Sequence, residues 1–157
     1  YWKKYFLWGK GNLRKEIHYK NGKKEGLTRY WYRSGKKKGE KPFKNGKIDG
    51  RLIWWYESGK KMGEVHYKDG KKNGLRAWWY DTGTKRFEEH YSEDIKDGFW
   101  VSWYKSGQKL SESNYKDGNN DGRWTNWSES GNVTYQRNYV NGKLLPNVWG
   151  LGEEKPQ

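Results

Sequence analysis

Apolar and polar side chains alternate along this chain in short runs, and glycine-containing pairs close each run. In residues 60–83 one run goes from Met62 to Lys68, with Val65 and Tyr67 set against Glu64, His66 and Lys68. A second goes from Leu75 to Tyr80. Alternation over so few residues predicts half-buried β-strands rather than helices. Between the two runs lies Asp69-Gly70, and an Asx-Gly pair between strand-like runs is the strongest short signal for a type I′ hairpin. Asn21-Gly22, Asn45-Gly46, Asp117-Gly118 and Asn141-Gly142 repeat the signal, while Asp94-Ile95 departs from it and predicts a different tip. Ser-Gly or Thr-Gly at 34–35, 58–59, 82–83, 106–107 and 130–131 supplies the return turn. The pattern predicts an up-and-down meander.

The pattern is also periodic. Gly26, Gly50, Gly74, Gly98 and Gly122 recur every 24 residues, as do Gly35, Gly59, Gly83, Gly107 and Gly131. So do Trp31, Trp55, Trp79, Trp103 and Trp127, and a column of Glu16, Glu40, Glu64, Glu88 and Glu112 continued by Gln136. A strict period of this length marks a solenoid-like array, in which each unit buries surface only against its neighbours. The predicted fold is all-β: an elongated, single-layer antiparallel meander of about six 24-residue hairpins, on the order of 60 Å long at about 4.8 Å per strand.

Plain two-residue turns place Trp31, Trp55 and Trp79 on one face with Ile53, Met62 and Glu64. They place Trp54, Tyr56, Val65 and Tyr67 on the other, and a one-residue bulge at Gly26, Gly50 or Gly74 inverts part of this. Tryptophans two strands apart are about 10 Å from each other and do not stack. The strand between them must insert something, for which the series Phe43, Tyr67, Tyr91, Tyr115, Tyr139, or Met62 and Leu110, are the candidates. The series Trp31 to Trp127 is read as the structural ladder.

Composition sharpens this picture. Leu, Ile, Val and Phe together number 22 of 157 residues and the net charge is +14, a balance that ordinarily means disorder. The 12 Trp and 13 Tyr at fixed positions overrule that prior, because each ring buries a large area when packed. There is no cysteine, which excludes disulfides and thiolate-held metals. No apolar run approaches the about 20 residues that span a bilayer. The chain starts at Tyr1 rather than Met and shows no signal peptide, which is read as a mature form or a fragment. The compartment is left open between the cytoplasm and, if Tyr1 is a processed N-terminus, export or the cell envelope.

The unit Phe43-Lys44-Asn45-Gly46-Lys47-Ile48-Asp49-Gly50-Arg51, followed by Trp54-Trp55-Tyr56-Glu57-Ser58-Gly59-Lys60, resembles a MORN repeat. It is most similar to the bacterial variant of the YwqK-like antitoxin family, and the pattern recurs from about residue 7 to 143. The resemblance implies a single-layer β-meander with an aromatic-lined groove. It also implies a role as an antitoxin-like inhibitor, a surface component or a scaffold, with acidic lipids or proteins as partners. The pattern departs at Asp94-Ile95, at Ser128 in place of the recurring Tyr, and at Pro146. Proline donates nothing to a ladder and is expected to end the sheet. The array is therefore read as residues 1–146 with an incomplete first repeat, and 147–157 as a cap or tail.

Candidate chemistry is weighed against that frame. His18, His66 and His90 share one repeat position, but neighbours about 10 Å apart cannot share an ion with metal–nitrogen distances near 2 Å. No metal and no cofactor is expected. The glutamate column stands at spacings that glycoside cleavage would tolerate, yet every unit has one and an active site should be singular. A cross-strand partner for Lys or Arg is the better reading, and the chain is read as non-enzymatic. Lysines crowd both ends of the strands, among them Lys47, Lys71 and Lys72. They serve either a polyanion track or edge protection and solubility. Tyr30, Trp54 and Trp78, with Tyr56 and Tyr80, are the expected contact patch, because Trp54 and Trp78 become Ser102 and Asn126 later in the chain and the fold alone does not require an aromatic there. The leading partner is a protein, bound as by an antitoxin-like inhibitor or as by a subunit of a larger assembly. The alternative is direct binding of a polyanion: RNA, acidic lipid or cell-wall polymer.

Overall fold

The computed structural model describes residues 1–9 and 11–146. The expected cap or tail at 147–157 lies outside the described residues. Among those residues there is no helix. The strands are β1 (Trp2–Trp8), β2 (Asn12–Lys20), β3 (Lys23–Lys24), β4 (Gly26–Trp31), β5 (Lys37–Lys44), β6 (Lys47–Ile48), β7 (Gly50–Trp55) and β8 (Lys61–Lys68). They continue with β9 (Lys71–Trp79), β10 (Lys85–Ser92), β11 (Ile95–Trp103), β12 (Lys109–Lys116), β13 (Asn119–Asn120), β14 (Gly122–Trp127), β15 (Val133–Val140) and β16 (Lys143–Leu144). All lie in one open antiparallel sheet, each strand beside its sequence neighbour. The last strand among the described residues is Lys143–Leu144, before Pro146.

The tips turn as the Asx-Gly pairs predict. Asn45 and Gly46 have φ of 50° and 84°, both in the left-handed region that a type I′ turn needs. The departing tip proves to be Glu93-Asp94, one residue earlier than expected, and its backbone does not differ: φ is 48° and 71°. The hairpin register imposes the conformation even where no glycine or asparagine favours it. Each tip is tied to the one before it, through Gly46 N–H to Lys24 O (2.8 Å), Gly70 to Ile48 (2.7 Å), Asp94 to Lys72 (2.9 Å) and Gly118 to Lys96 (2.8 Å). At three of the tips an acid at the base of the preceding one adds a second tie. Asn45 N–H donates to Glu25 (2.7 Å), Asp69 N–H to Asp49 (3.2 Å) and Asn141 N–H to Asp121 (3.2 Å).

Two bulges recur, and only one alters the local register by a single residue. Near the tips Val65 faces Arg76 while Tyr67 faces Lys72, so the far strand carries two extra residues around Gly74. A two-residue offset preserves the alternation of faces, and the inversion considered for Gly26, Gly50 and Gly74 does not occur. At the return-turn end Trp54 faces Gly63 while Trp55 faces Lys61. Met62 is therefore the extra residue, and Lys61 rather than Met62 is set opposite the tryptophan.

Among the described residues the sheet has no second layer, and both of its faces carry buried positions. Ile17, Thr28, Phe43, Leu52, Val65 and Ser113 are buried on one face; Glu16, Glu64, Ala77 and Thr125 are buried on the other.

Candidate functional site

Cross-strand pairing sorts every strand position to a face, and the two faces differ in chemistry. The first holds the glutamate column. Glu64 is buried and takes Lys61 Nζ at 2.7 Å, His66 Nε2 at 2.7 Å and Arg51 at 3.7 Å. Glu16 takes Lys3, His18 and Arg29; Glu40 takes Arg29 and Lys37; Glu88 takes Lys85 and His90; Glu112 takes Lys109. Burial pushes Glu64 up, but hydrogen bonds from Lys61 and His66 and the charge of Arg51 outweigh it and hold the carboxyl below its ordinary value. The histidine column is thus bound into the carboxylates. No group of three potential metal ligands forms among the described residues.

The same lysines also pack on the tryptophan ladder. Lys37 Nζ lies 5.4 Å from the Trp55 ring, Lys61 4.9 Å from Trp79, Lys85 5.5 Å from Trp103 and Lys109 5.3 Å from Trp127. Lysine is therefore what the intervening strand inserts between tryptophans, not the Phe43–Tyr139 series, which lies on the opposite face, nor Met62 or Leu110. A cation over an indole fills the gap where a ring would have to stack at twice the strand spacing. Trp31, Trp55, Trp79, Trp103 and Trp127 sit half-buried at the return-turn end. The carbonyls of the last four lock neighbouring units: the Tyr32 hydroxyl donates to Trp55 O (2.8 Å), Tyr56 to Trp79 O (2.7 Å), Tyr80 to Trp103 O (3.0 Å) and Tyr104 to Trp127 O (3.0 Å). At Ser128 the series stops, and that hydroxyl bonds within its own turn.

The second face is aromatic. Tyr30 and Trp54 lie 5.1 Å apart, Trp78 and Phe87 5.6 Å, Trp100 and Tyr115 5.2 Å, and Trp124 and Tyr135 5.9 Å. The Trp54 ring covers Gly39, where any Cβ would collide with it. A Cβ on Gly63 would lie 2.5 Å from Trp78. Among the paired strand positions this face carries Lys4, Lys15, Lys24, Lys41, Lys72 and Lys96 with Arg76 and Arg137, against the single carboxylate of Glu89. Arg76 pairs with Glu89. The six lysines have no carboxylate partner among the described residues, and several lie over rings: Lys24 and Lys41 over Phe43, Lys15 over Tyr30, Lys72 over Tyr91. Burial and then the charges of Lys24 and Lys15 hold Lys41 below the usual lysine range. Burial, with Glu89 beside it, pushes the Tyr91 hydroxyl up to about 12.

The expected contact residues do not all meet. Tyr30, Trp54, Trp78 and Lys72 share the aromatic face. Tyr56 and Tyr80 stand at its return-turn rim, their hydroxyls already committed. Lys47 and Lys71 are exposed at the tips on the other side, opposite Lys44 and Lys68. Sequence reasoning missed Lys15, Lys24, Lys41 and Lys96 as members of the aromatic face. Parity was the available signal: Lys41 is two residues from Phe43, and Lys15 faces Tyr30.

A sequence model of the family described as MORN repeat variant matches four segments, 24–45, 48–69, 96–117 and 120–141, which together cover more than half of the chain. The unmatched interval holds the unit with the Glu93-Asp94 tip. A comparison with curated proteins gave no match.

Proposed function

The chain belongs to the MORN repeat variant family, and on that premise we propose that it is a non-enzymatic repeat scaffold whose aromatic, cationic face docks an acidic protein surface. An antitoxin-like inhibitor, as in the YwqK-like family, and a subunit of a larger assembly both fit this role. Repeat arrays expose long surfaces and commonly bind along them. The carrying observation is a contrast in what accompanies the cations: on one face the glutamate column engages Lys37, Lys61, Lys85 and Lys109, while among the described residues the six lysines of the other face have no carboxylate partner and lie among rings. Tyr and Trp on a shared surface are the usual anchors of a protein-binding patch, and the lysines around them add charge complementarity to an acidic partner. The contact patch is placed at Tyr30, Trp54, Trp78 and Lys72, with Tyr56 and Tyr80 on its rim; Lys47 and Lys71, on the opposite face, stand outside it.

A second reading, direct binding of RNA, acidic lipid or wall polymer, draws on the same six lysines. Charge reversal at Lys15, Lys41 and Lys72 tests both, with the exposed Lys44 and Lys116 reversed on the opposite face as the control. The protein reading expects the first set alone to abolish co-purification of a defined partner, with weak retention of the parent on heparin and on anionic vesicles at physiological salt. Strong retention with a steep salt slope supports the polyanion reading instead. Equal effects from the two sets would remove the aromatic face from either role.

A further inference from the structure

The aromatic face changes character midway along the sheet. In one half Trp54 and Trp78 lie flat over Gly39 and Gly63. One and two units later their positions hold Ser102 and Asn126, and the position between them is Ser111. Where the indoles are missing, a hollow of about 200 Å³ opens. Its floor is Ser102, Ser111 and Ser113, and its walls include Trp100, Tyr115 and Trp124. It lies outside the contact patch proposed above and does not depend on that reading.

The hollow is built from fixed parts. Trp100 Nε1 donates to His90 O at 3.2 Å and Trp124 Nε1 to Asn126 Oδ1 at 3.0 Å, which anchors both indoles. On the floor Ser102 and Ser111 share a hydrogen bond of 2.5 Å. Ser113 is 7% exposed, and its hydroxyl has no protein partner among the described residues. Lys96 Nζ lies 4.2 Å from the Trp100 ring and 4.5 Å from the Tyr115 ring, without a carboxylate partner among those residues. Glu89, also at the hollow, is engaged by Arg76 and by the Tyr91 hydroxyl.

These groups ask three things of an occupant. The walls ask for a ring with apolar faces. The Ser113 hydroxyl asks for a hydrogen-bonding group, since covering it with hydrocarbon leaves a buried polar atom unmet. Lys96 asks for an anion. A free phosphate satisfies only Lys96, and a phenyl or aliphatic side chain satisfies only the walls. A pyranose has apolar C–H faces and a rim of hydroxyls, and a uronic acid adds the carboxylate. The volume is below the about 300–1,000 Å³ of drug-sized sites, which limits the occupant to about one ring. We infer that this hollow binds a single acidic sugar residue, stacked on the indole walls, bonded to Ser113 and paired with Lys96.

The test is a titration of the full chain with D-glucuronate, followed through the indole N–H resonances of Trp100 and Trp124 in nitrogen-15 correlation spectra. Saturable shifts in the millimolar range are expected, with D-glucose binding several-fold more weakly. Ser113→Val should weaken binding at least tenfold with an unchanged melting temperature, because Val65 occupies the same position two units earlier. Lys96→Gln, on the rim, should leave the fold intact and equalise glucuronate and glucose, which keeps the test open should Ser113→Val fail to fold. The inference fails if neither indole shifts saturably, if acetate reproduces the glucuronate response, or if glucuronate preference survives Lys96→Gln. It also fails if N-acetyltyrosinamide binds where glucuronate does not, which would make the hollow a seat for a protein side chain.

Discussion

The tyrosine of the Trp-Tyr pair does at residue scale what no strand pairing does: it bonds one unit to the next at the open, return-turn end. The Tyr56 hydroxyl reaches Trp79 O at 2.7 Å across the unit boundary. Tyr56→Phe keeps the ring and strands that carbonyl. It should cost about 1 kcal/mol, the net worth of a partly buried neutral hydrogen bond, read from denaturant midpoints. Tyr5→Phe, on an exposed ring of β1, should change nothing measurable. Glu64 shows the same economy on the charged face. Its folded pKa lies below the ordinary value of 4.5, as do those of Glu16 and Glu88. The stability these groups contribute is fully present above about pH 4.5 and is lost as pH falls through their folded values. Unfolding followed from pH 7 downward should show an acid limb below about pH 4.5. Glu64→Gln, less stable at neutral pH, should show a shallower limb, and a parallel limb would show that Glu64 carries none of it.

At the scale of the element, neighbouring strands choose their residues together. Trp54 and Trp78 require the glycines beneath them. Where the indoles give way to Ser102 and Asn126, the intervening residue is no longer glycine but Ser111, and Phe87 fills the space beside Trp78. Gly63→Ala should therefore cost about 1–3 kcal/mol, the usual penalty for overpacking, even though alanine suits a strand better than glycine. Trp78→Ser in the same chain should recover part of the loss, and the coupling is read from a double-mutant cycle. Strict additivity would separate the two positions. The Trp54–Gly39 and Trp78–Gly63 pairs were not visible as pairs in the sequence. The glycines at 39 and 63 belong to neither 24-residue glycine series, and the partnership spans a strand gap that only the register defines.

At the scale of the molecule, a single layer has no common core, so each unit is only as stable as its neighbours make it. β1 is exposed along its whole length, with Trp2, Tyr5, Leu7 and Trp8 facing solvent. β8, near mid-sheet, has three consecutive buried residues from Gly63 to Val65. Hydrogen exchange should follow that profile: amides of β7 to β9 slowest, those of β1 fastest, with a graded fall between them. Uniform protection would mean that the sheet unfolds as one unit.

Reading the chain alone determined the strands, the tips, the 24-residue period and the family resemblance, because each depends on local rules. Positive φ at Asx-Gly, alternation across a pleat and a fixed repeat length need no knowledge of what lies two strands away. The face assignment was also within reach, since the two-residue bulges near Gly74 leave parity unchanged. What the sequence did not determine is what each face is for. That lysines rather than tyrosines would separate the tryptophans, that Lys15, Lys41 and Lys96 would gather among rings, and that three serines would leave a hollow were decided by the tertiary structure. Each depends on which side chains the register sets opposite one another, a long-range relation in which one slipped residue would have exchanged the faces.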